Sequence, residues 1–168
     1  MRVVISGSFR KHLQGIVKLK AELEKRGIEV IKPNRVKKIN NSENPNFVKF
    51  EGEELIHPVQ LEREYLQAIQ DCDAHIIYNQ DSYIGMKAAM EFGASFAKGK
   101  RARVYLYERP DLEKMLAQKP EVDEYEKQDL IEFYELMEDM IKQRLLKVGI
   151  NQLYKDYNIS AVTERDER

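Results

Sequence analysis

Residues 81–100 have the sequence DSYIGMKAAMEFGASFAKGK, and they follow the apolar run AHIIY at Ala74–Tyr78. A short, continuous apolar run is typical of a β-strand that is covered on both faces. The residues after it predict a turn and then a helix that ends at Gly99. Small and apolar residues surround the one acid of this helix, Glu91; they are Ala88, Ala89, Met90, Phe92, Ala94, Phe96 and Ala97. A carboxylate in a buried helix is costly unless it has a partner or a function, so Glu91 requires an explanation.

Strands and helices alternate on both sides of this stretch. Short apolar runs predict strands at residues 2–6, 28–31, 74–78 and 103–107, with amphipathic helices between them. This alternation predicts an α/β fold, namely a flavodoxin-like or Rossmann-like three-layer sandwich with a mainly parallel sheet. Ligands in such folds bind at the carboxyl ends of the strands. Residues 6–8 and 79–85 would therefore lie at one edge of the sheet and form one site.

The last third of the chain has a different pattern. Residues 123–148 read as one long amphipathic helix, and a shorter helix is predicted from Ile150. We therefore interpret residues 1–110 as an α/β core and residues 111–168 as a C-terminal helical extension. The apolar stripe of the long helix fits packing on the core as well as it fits a dimer contact. A homodimer or higher homo-oligomer is expected.

Composition narrows the classes of partner. With 42% hydrophobic and 34% charged residues the chain matches an ordinary globular domain, and its net charge of −1 argues against a surface for nucleic-acid polymers or membranes. No apolar run has membrane-spanning length and the chain begins with a strand, so a cytoplasmic location is expected. Cys72 is the single cysteine and has no internal partner for a disulfide. Three scattered histidines without cysteine partners predict no metal site and no cofactor; they are His12, His57 and His75.

The turn Tyr83-Ile84-Gly85, the helix segment MEFGASFA at residues 90–97 and the closing Gly99-Lys100 together carry a resemblance to a known family. They resemble the core signature of the nucleoside 2-deoxyribosyltransferase-like family, which includes deoxynucleoside 5′-monophosphate N-glycosidases. The resemblance is good over residues 73–106 and is absent from about residue 110 onward. It implies that Glu91 is the nucleophile that attacks the anomeric carbon of the sugar. It also implies that Asp81 contacts or protonates the base.

The end of the first strand adds a second part of this resemblance. Residues 6–10 read SGSFR, and the related enzymes have Gly-Ser-(Ile/Phe)-Arg at this place. By resemblance the sugar or 5′-phosphate pocket is lined by Ser6, Gly7, Ser8, Phe9 and Arg10, and it is shaped by Tyr83 and Gly85. From the residues alone, the run reads equally as a tight turn after a core strand or as an anion site at a helix N-terminus.

Two positions depart from the family pattern. Counting eight residues back from Asp73, where the family commonly has an acid, gives Tyr65, and the nearby Glu62 and Glu64 are expected on other faces of the helix. Ala88 stands where many relatives have Ser or Thr.

A long irregular segment lies between residues 33 and 57. It is either a solvated loop or a lid over the site. Basic residues occur in it and just before it; they are Lys32, Arg35, Lys37 and Lys38.

Two hypotheses follow. In the first, the protein is an enzyme that cleaves or transfers at the N-glycosidic bond of a nucleoside or nucleotide through a covalent sugar ester on Glu91. In the second, it is a module of the same fold that binds a nucleotide or sugar phosphate without turnover. Glu91, Asp81 and residues 7–10 favour the first hypothesis, whereas Tyr65 and Ala88 favour the second.

Overall fold

The computed structural model of the chain describes residues 1–39, 48–97 and 103–160. The predicted helix end at Gly99 and residues 40–47 of the irregular segment lie outside the described residues. In chain order the elements are β1 (Arg2–Gly7), α1 (Leu13–Lys25), β2 (Glu29–Lys32), β3 (Lys38–Ile39), β4 (Lys49–Phe50), α2 (Pro58–Asp71), β5 (Ala74–Tyr78), a 3₁₀ turn (Gln80–Ser82), α3 (Met86–Ala97), β6 (Arg103–Leu106), α4 (Leu112–Ala117), α5 (Glu124–Lys142), β7 (Leu146–Val148) and α6 (Ile150–Asp156).

Five of these strands form a single parallel sheet. Their order is β2-β1-β5-β6-β7, and every neighbouring pair is parallel. Helices cover both faces, so the fold is an α/β three-layer sandwich of the flavodoxin-like or Rossmann-like kind, as predicted. The remaining two strands, β3 and β4, pair antiparallel in the segment between β2 and α2.

Alternating side chains of the strands divide the core between the two faces of the sheet. Val3 and Ile5 pack with α1 and α6 on one face, whereas Val4 packs with α2 on the other. In β5, Ile76 belongs to the first face and Ile77 to the second, where α3, α4 and α5 lie. By the same two-residue period, Ser6 and His75 lie on the second face, beneath α3. The sheet thereby brings both polar groups to the helix that carries Glu91.

The predicted helix over residues 123–148 is wrong in its last part. α5 ends at Lys142, and Leu146–Val148 instead forms β7, which pairs in parallel with β6. Arg144 has a φ of 58°, in the left-handed region that an α-helix cannot contain, so the chain turns there. Leu146 then becomes buried at the edge of the sheet and contributes to the core beside Met137 of α5. The short helix predicted from Ile150 is confirmed as α6.

The described helices also answer the question of membrane-spanning segments. Within residues 1–39, 48–97 and 103–160, no helix combines the length and the apolar character needed to cross a membrane.

Candidate functional site

Two neighbouring cavities lie where β1 ends and α3 begins. They share Gly7, Phe9, Val48 and Lys87 in their walls. The larger has a volume of about 290 Å³ and is lined by Gly7, Ser8, Phe9, Arg10, Val48, Tyr83, Gly85, Met86, Lys87 and Ala88. The smaller, of about 60 Å³, is lined by Gly7, Phe9, Lys32, Val48, Phe50, Glu53, Leu61, Tyr65, Lys87 and Glu91. The structure thus brings residues 7–10, Tyr83 and Gly85 together in one cavity, with Glu91 in the adjoining one.

The turn after β1 shapes the wall that both cavities share. The Ser8 hydroxyl accepts a hydrogen bond from the Lys11 N–H at 3.2 Å, and the Ser8 carbonyl accepts from the His12 N–H at 2.8 Å. These bonds make residues 8–12 a tight turn, which was one of the two interpretations from sequence. Phe9 projects from this turn and meets Phe50 edge to face, with ring centroids 5.3 Å apart. Its ring therefore belongs to the apolar lining that separates Glu91 from solvent.

Glu91 is the central ionisable group of the smaller cavity, and only 6% of its surface is exposed. Burial raises the pKa of this carboxyl from 4.5 to about 7, because the charged form loses its hydration. A hydrogen bond from Ser6 lowers the pKa, the negative charge of Glu62 raises it, and the positive charge of Lys87 lowers it. Near neutral pH both protonation states of Glu91 are consequently populated.

Glu62 and Lys87 form an ion pair beside Glu91. The Nζ of Lys87 lies 2.6 Å from Oε2 of Glu62, while Oε1 of Glu62 is buried and has no hydrogen-bond partner among the described residues. The pairing of Lys87 with an acid on the neighbouring helix α2 explains the presence of a cation in the first turn of α3. This pair places one positive and one negative charge next to the buried carboxyl.

Tyr65 occupies the place where the resemblance implies an acid. Its hydroxyl donates a hydrogen bond to the Ile5 carbonyl at 3.3 Å, and burial, together with the charge of Glu91, raises its pKa well above the ordinary value. The expectation that Glu62 lies on a different helix face is wrong. Residues three apart share a helix face, so Glu62 lies one turn before Tyr65 and acts on the same group, Glu91.

Asp81 does not line either of the two cavities. It is exposed in the 3₁₀ turn with a φ of 57°. Its N–H donates to Oε2 of Glu108 at 3.1 Å, and its carbonyl accepts from the Gln118 side chain. Neighbouring Ser82 also has a positive φ, of 60°, so two successive residues of this turn are in the left-handed region. The contact between Asp81 and a base stays a prediction.

Part of the predicted lid segment contributes to the site. Val48, Phe50 and Glu53 line the smaller cavity, and Lys32 lies there with its Nζ 3.0 Å from Oε2 of Glu64. Lys37 pairs with Glu51 instead, at 3.2 Å. The opening and closing motion of a lid stays a prediction.

Within the part of the chain that the structure describes, no group of three or more His, Cys, Asp or Glu side chains could hold a metal ion.

The ion pair leads to a prediction about the titration of Glu91. Glu62→Gln removes a negative neighbour and should lower the pKa of Glu91, whereas Lys87→Met removes a positive neighbour and should raise it, each by up to about one unit. The measurement is the ¹³C-detected titration of the Glu91 carboxyl, assigned by its loss in Glu91→Gln. Shifts of the same sign in both variants would show that packing changes outweigh the charges.

Comparisons of the chain with protein-family models, with curated proteins and with solved structures find no match. The resemblance to the deoxyribosyltransferase-like family accordingly stays an expectation.

Proposed function

We propose that this protein cleaves or transfers at the N-glycosidic bond of a nucleoside or nucleotide, with Glu91 as the nucleophile. The observation that carries the proposal is the buried Glu91 carboxyl, whose pKa is about 7, at the wall of a cavity that continues into a larger polar one. Catalytic acids and nucleophiles are frequently carboxyl groups that lie in a cleft and have a strongly shifted pKa. The resemblance of residues 83–97 to the family signature agrees with this role.

The two cavities suit the two parts of such a substrate. The anomeric carbon would lie against Glu91 in the smaller cavity, next to the Phe9 and Tyr65 rings. The larger cavity offers Ser8, Arg10 and Lys87 as polar groups for the rest of the molecule. Arg10 and Lys87 are cations, so a 5′-phosphate is a suitable group for this side.

The chemistry requires a carboxylate that forms a bond to the anomeric carbon as the bond to the base breaks. The electron pair of that second bond leaves with the base, which takes up a proton. Water would then hydrolyse the ester and give the free sugar, or a second base would attack and give a new nucleoside. Asp81 is not a lining residue of either cavity. The hydrogen-bond donors that line the larger cavity are Ser8, Arg10, Tyr83 and Lys87.

The test is the release of free base from a panel of deoxyribonucleosides and ribonucleosides and their 5′-monophosphates. The products are separated by chromatography, and a second base is added to half of the reactions. Release of base supports the glycosidase, and exchange of base supports the transferase. If the monophosphates react at least tenfold faster than the nucleosides, the phosphate is held by the larger cavity, and Arg10→Gln should remove this preference.

A binding module without turnover is the second candidate, and one observation favours it. Ala88 lies in the wall of the larger cavity and provides no hydroxyl there, where the resemblance implies Ser or Thr. A nucleotide that raises the melting temperature while no base is released from any member of the panel would support this candidate and contradict the enzyme.

A further inference from the structure

A third cavity, of about 450 Å³, lies along the outermost strand of the sheet and shares no lining residue with the two cavities beside Glu91. All three residues of β7 line it; they are Leu146, Lys147 and Val148. Successive side chains of a strand point to opposite faces, so a cavity bounded by three residues in a row must run along the edge of the strand. Among the described residues only β6 pairs with β7, which is the last strand in the order of the sheet.

Two helices form the walls of this cavity. On the face of Leu146, the end of α5 and the turn after it contribute Ile141 and Arg144. On the face of Lys147, α6 contributes Asp156, which pairs with the Lys147 ammonium. We call the space between the two walls the β7 groove, and its floor is the outer edge of β7.

The register of β7 determines which of its backbone groups point into the groove. The N–H of Gly149 donates to the carbonyl of Leu106 in β6 at 2.8 Å. Residues two apart in a strand direct their backbone groups to the same side, so those of Lys147 also face β6. The N–H and C=O groups of Leu146 and Val148 consequently point to the outer edge. β7 therefore presents two donors and two acceptors to the groove.

The side chains of the groove carry an excess of positive charge. Arg109, Arg144 and Lys147 line it, and Asp156 is the single acid among the lining residues. Lys147 and Asp156 bind each other, and the second carboxylate oxygen of Asp156 accepts from Gln152 at 2.8 Å. The two arginines therefore account for the positive charge that remains.

Both arginines lie on the α5 side of the groove, and they differ in their partners. Arg109 is held by Glu138 of α5, with its Nε 3.1 Å from Oε1 and its Nη2 2.7 Å from Oε2. Arg144 is exposed, and within the described ranges its guanidinium has neither an ion pair nor a hydrogen bond. A guanidinium binds a carboxylate through two parallel N–H donors. The α5 side of the groove therefore favours a carboxylate, with Arg144 as its first contact.

These features distinguish between kinds of occupant. A second copy of this chain that paired its own β7 here would bring like-charged arginines together, which is unfavourable. A small anion would use the arginines and the outward N–H groups, but it offers no donor to the carbonyls of Leu146 and Val148. An extended peptide offers both donors and acceptors to a strand, and acids at every second position would all lie on the α5 side.

We propose that the β7 groove binds an extended acidic peptide of a partner protein, which adds a strand to the sheet at Leu146 and Val148 and places its carboxylates against Arg144 and Arg109. The added strand would be the sixth of the sheet. This binding does not depend on the proposed glycosidic chemistry, because the groove and the cavities beside Glu91 have separate walls.

The first measurement is amide hydrogen exchange by NMR on the free protein. The N–H groups of Leu146 and Val148 should exchange at least about tenfold faster than that of Lys147, which faces β6. Slow exchange at Leu146 and Val148 in the free protein would overturn the proposal, because the outer edge would then already be paired. If that protection rises with protein concentration, the occupant is a second copy of the chain.

The second measurement uses the peptide acetyl-Thr-Glu-Thr-Glu-Thr-amide, whose glutamates share one face of a strand. Its binding should slow the exchange of Leu146 and Val148 and leave that of Lys147 unchanged. Two further peptides are N-methylated, one at the glutamates and the other at the threonines. Only one of these sets of N–H groups can face β7, so one peptide should bind at least about tenfold more weakly, and the other within about threefold of the parent peptide. Equal affinity of all three peptides, with displacement by inorganic phosphate, would identify a small-anion site and overturn the proposal.

Arg144→Gln is the variant that tests the charge. It should weaken peptide binding at least about tenfold, because the carboxylate loses its guanidinium partner. Its fold should persist, since the side chain is exposed and has no partner within the described ranges. Lys18→Gln is the matched control: it removes one exposed cation of α1 that does not line the groove, and it should change the affinity less than about twofold. Equal affinities of Arg144→Gln and Lys18→Gln, or no binding of any peptide, would overturn the proposal, whereas a failed substrate panel would overturn only the enzyme.

Discussion

Glu91→Gln is expected to lower the rate of base release by on the order of 10³-fold or more. The amide has nearly the shape of the carboxyl, so the cavity and the hydrogen bond to Ser6 can persist. It cannot, however, supply the electron pair that forms the ester to the anomeric carbon. The loss should appear in kcat, while nucleotide binding, measured by calorimetry, should stay within about threefold of the parent protein, because Glu91 contributes to the reacting centre and not to the polar groups of the larger cavity.

Glu135→Gln is the matched control for this change. Glu135 is an exposed acid on α5 that lines neither cavity, and the same substitution there should leave the rate unchanged. Trapping of the intermediate is a second measurement: mass spectrometry of the quenched parent protein should detect the added sugar on Glu91. Undiminished base release by Glu91→Gln would exclude Glu91 as the nucleophile.

Glu91→Gln should also increase the free energy of unfolding at high pH and leave it nearly unchanged at low pH. The pKa of Glu91 is raised from 4.5 in the unfolded chain to about 7 in the folded protein. Between these values the folded protein holds a proton that the unfolded chain has released, so the free energy of unfolding falls as the pH rises from 4.5 to about 7 and then levels off. The total decrease is about 3 kcal/mol. The amide side chain in Glu91→Gln does not ionise, so the free energy of unfolding of this variant should not show the decrease.

The measurement is thermal unfolding of the parent protein and Glu91→Gln at pH 4, 6 and 8. The melting temperature of the variant should exceed that of the parent by roughly 6–12 °C at pH 8 and by almost nothing at pH 4. Glu135→Gln is measured in parallel as the control for substitution of an exposed acid. An equal difference at all three pH values would mean that the substitution acts through packing and not through ionisation. This prediction does not depend on catalysis.

Local patterns were sufficient to predict most of the fold. Continuous apolar runs predicted β1 and β5, and the start of α2 at Pro58 follows from the preference of proline for a first helical turn. The same reasoning failed at residues 143–148. Leu145 and Leu146 continue the helical spacing of α5, but the open edge of β6 offers backbone hydrogen bonds that a helix pattern does not reveal. Tertiary pairing decided this segment against its local periodicity.

The candidate site was predictable only in part. The burial of Glu91 could be inferred from its apolar neighbours, and residues 6–8 were expected at the edge of the sheet, where β1 ends. The hydrogen bond between Oγ of Ser6 and Nε2 of His75 could not be inferred, because it joins residues 69 positions apart and depends on the register of two strands. Glu62 was missed for a different reason, since its distance from Glu91 depends on how α2 packs against α3.

The origin of β7 has a consequence for how the molecule is made. The fifth strand of the sheet comes from residues 146–148, after α5, although its neighbour β6 ends at Leu106. While the ribosome synthesises the intervening forty or so residues, one edge of β6 has no partner, and a bare sheet edge is a template for pairing with another chain. The nascent protein must keep this edge covered or soluble until residues 146–148 have been synthesised, and a chain interrupted before residue 146 would leave the ribosome with that edge open.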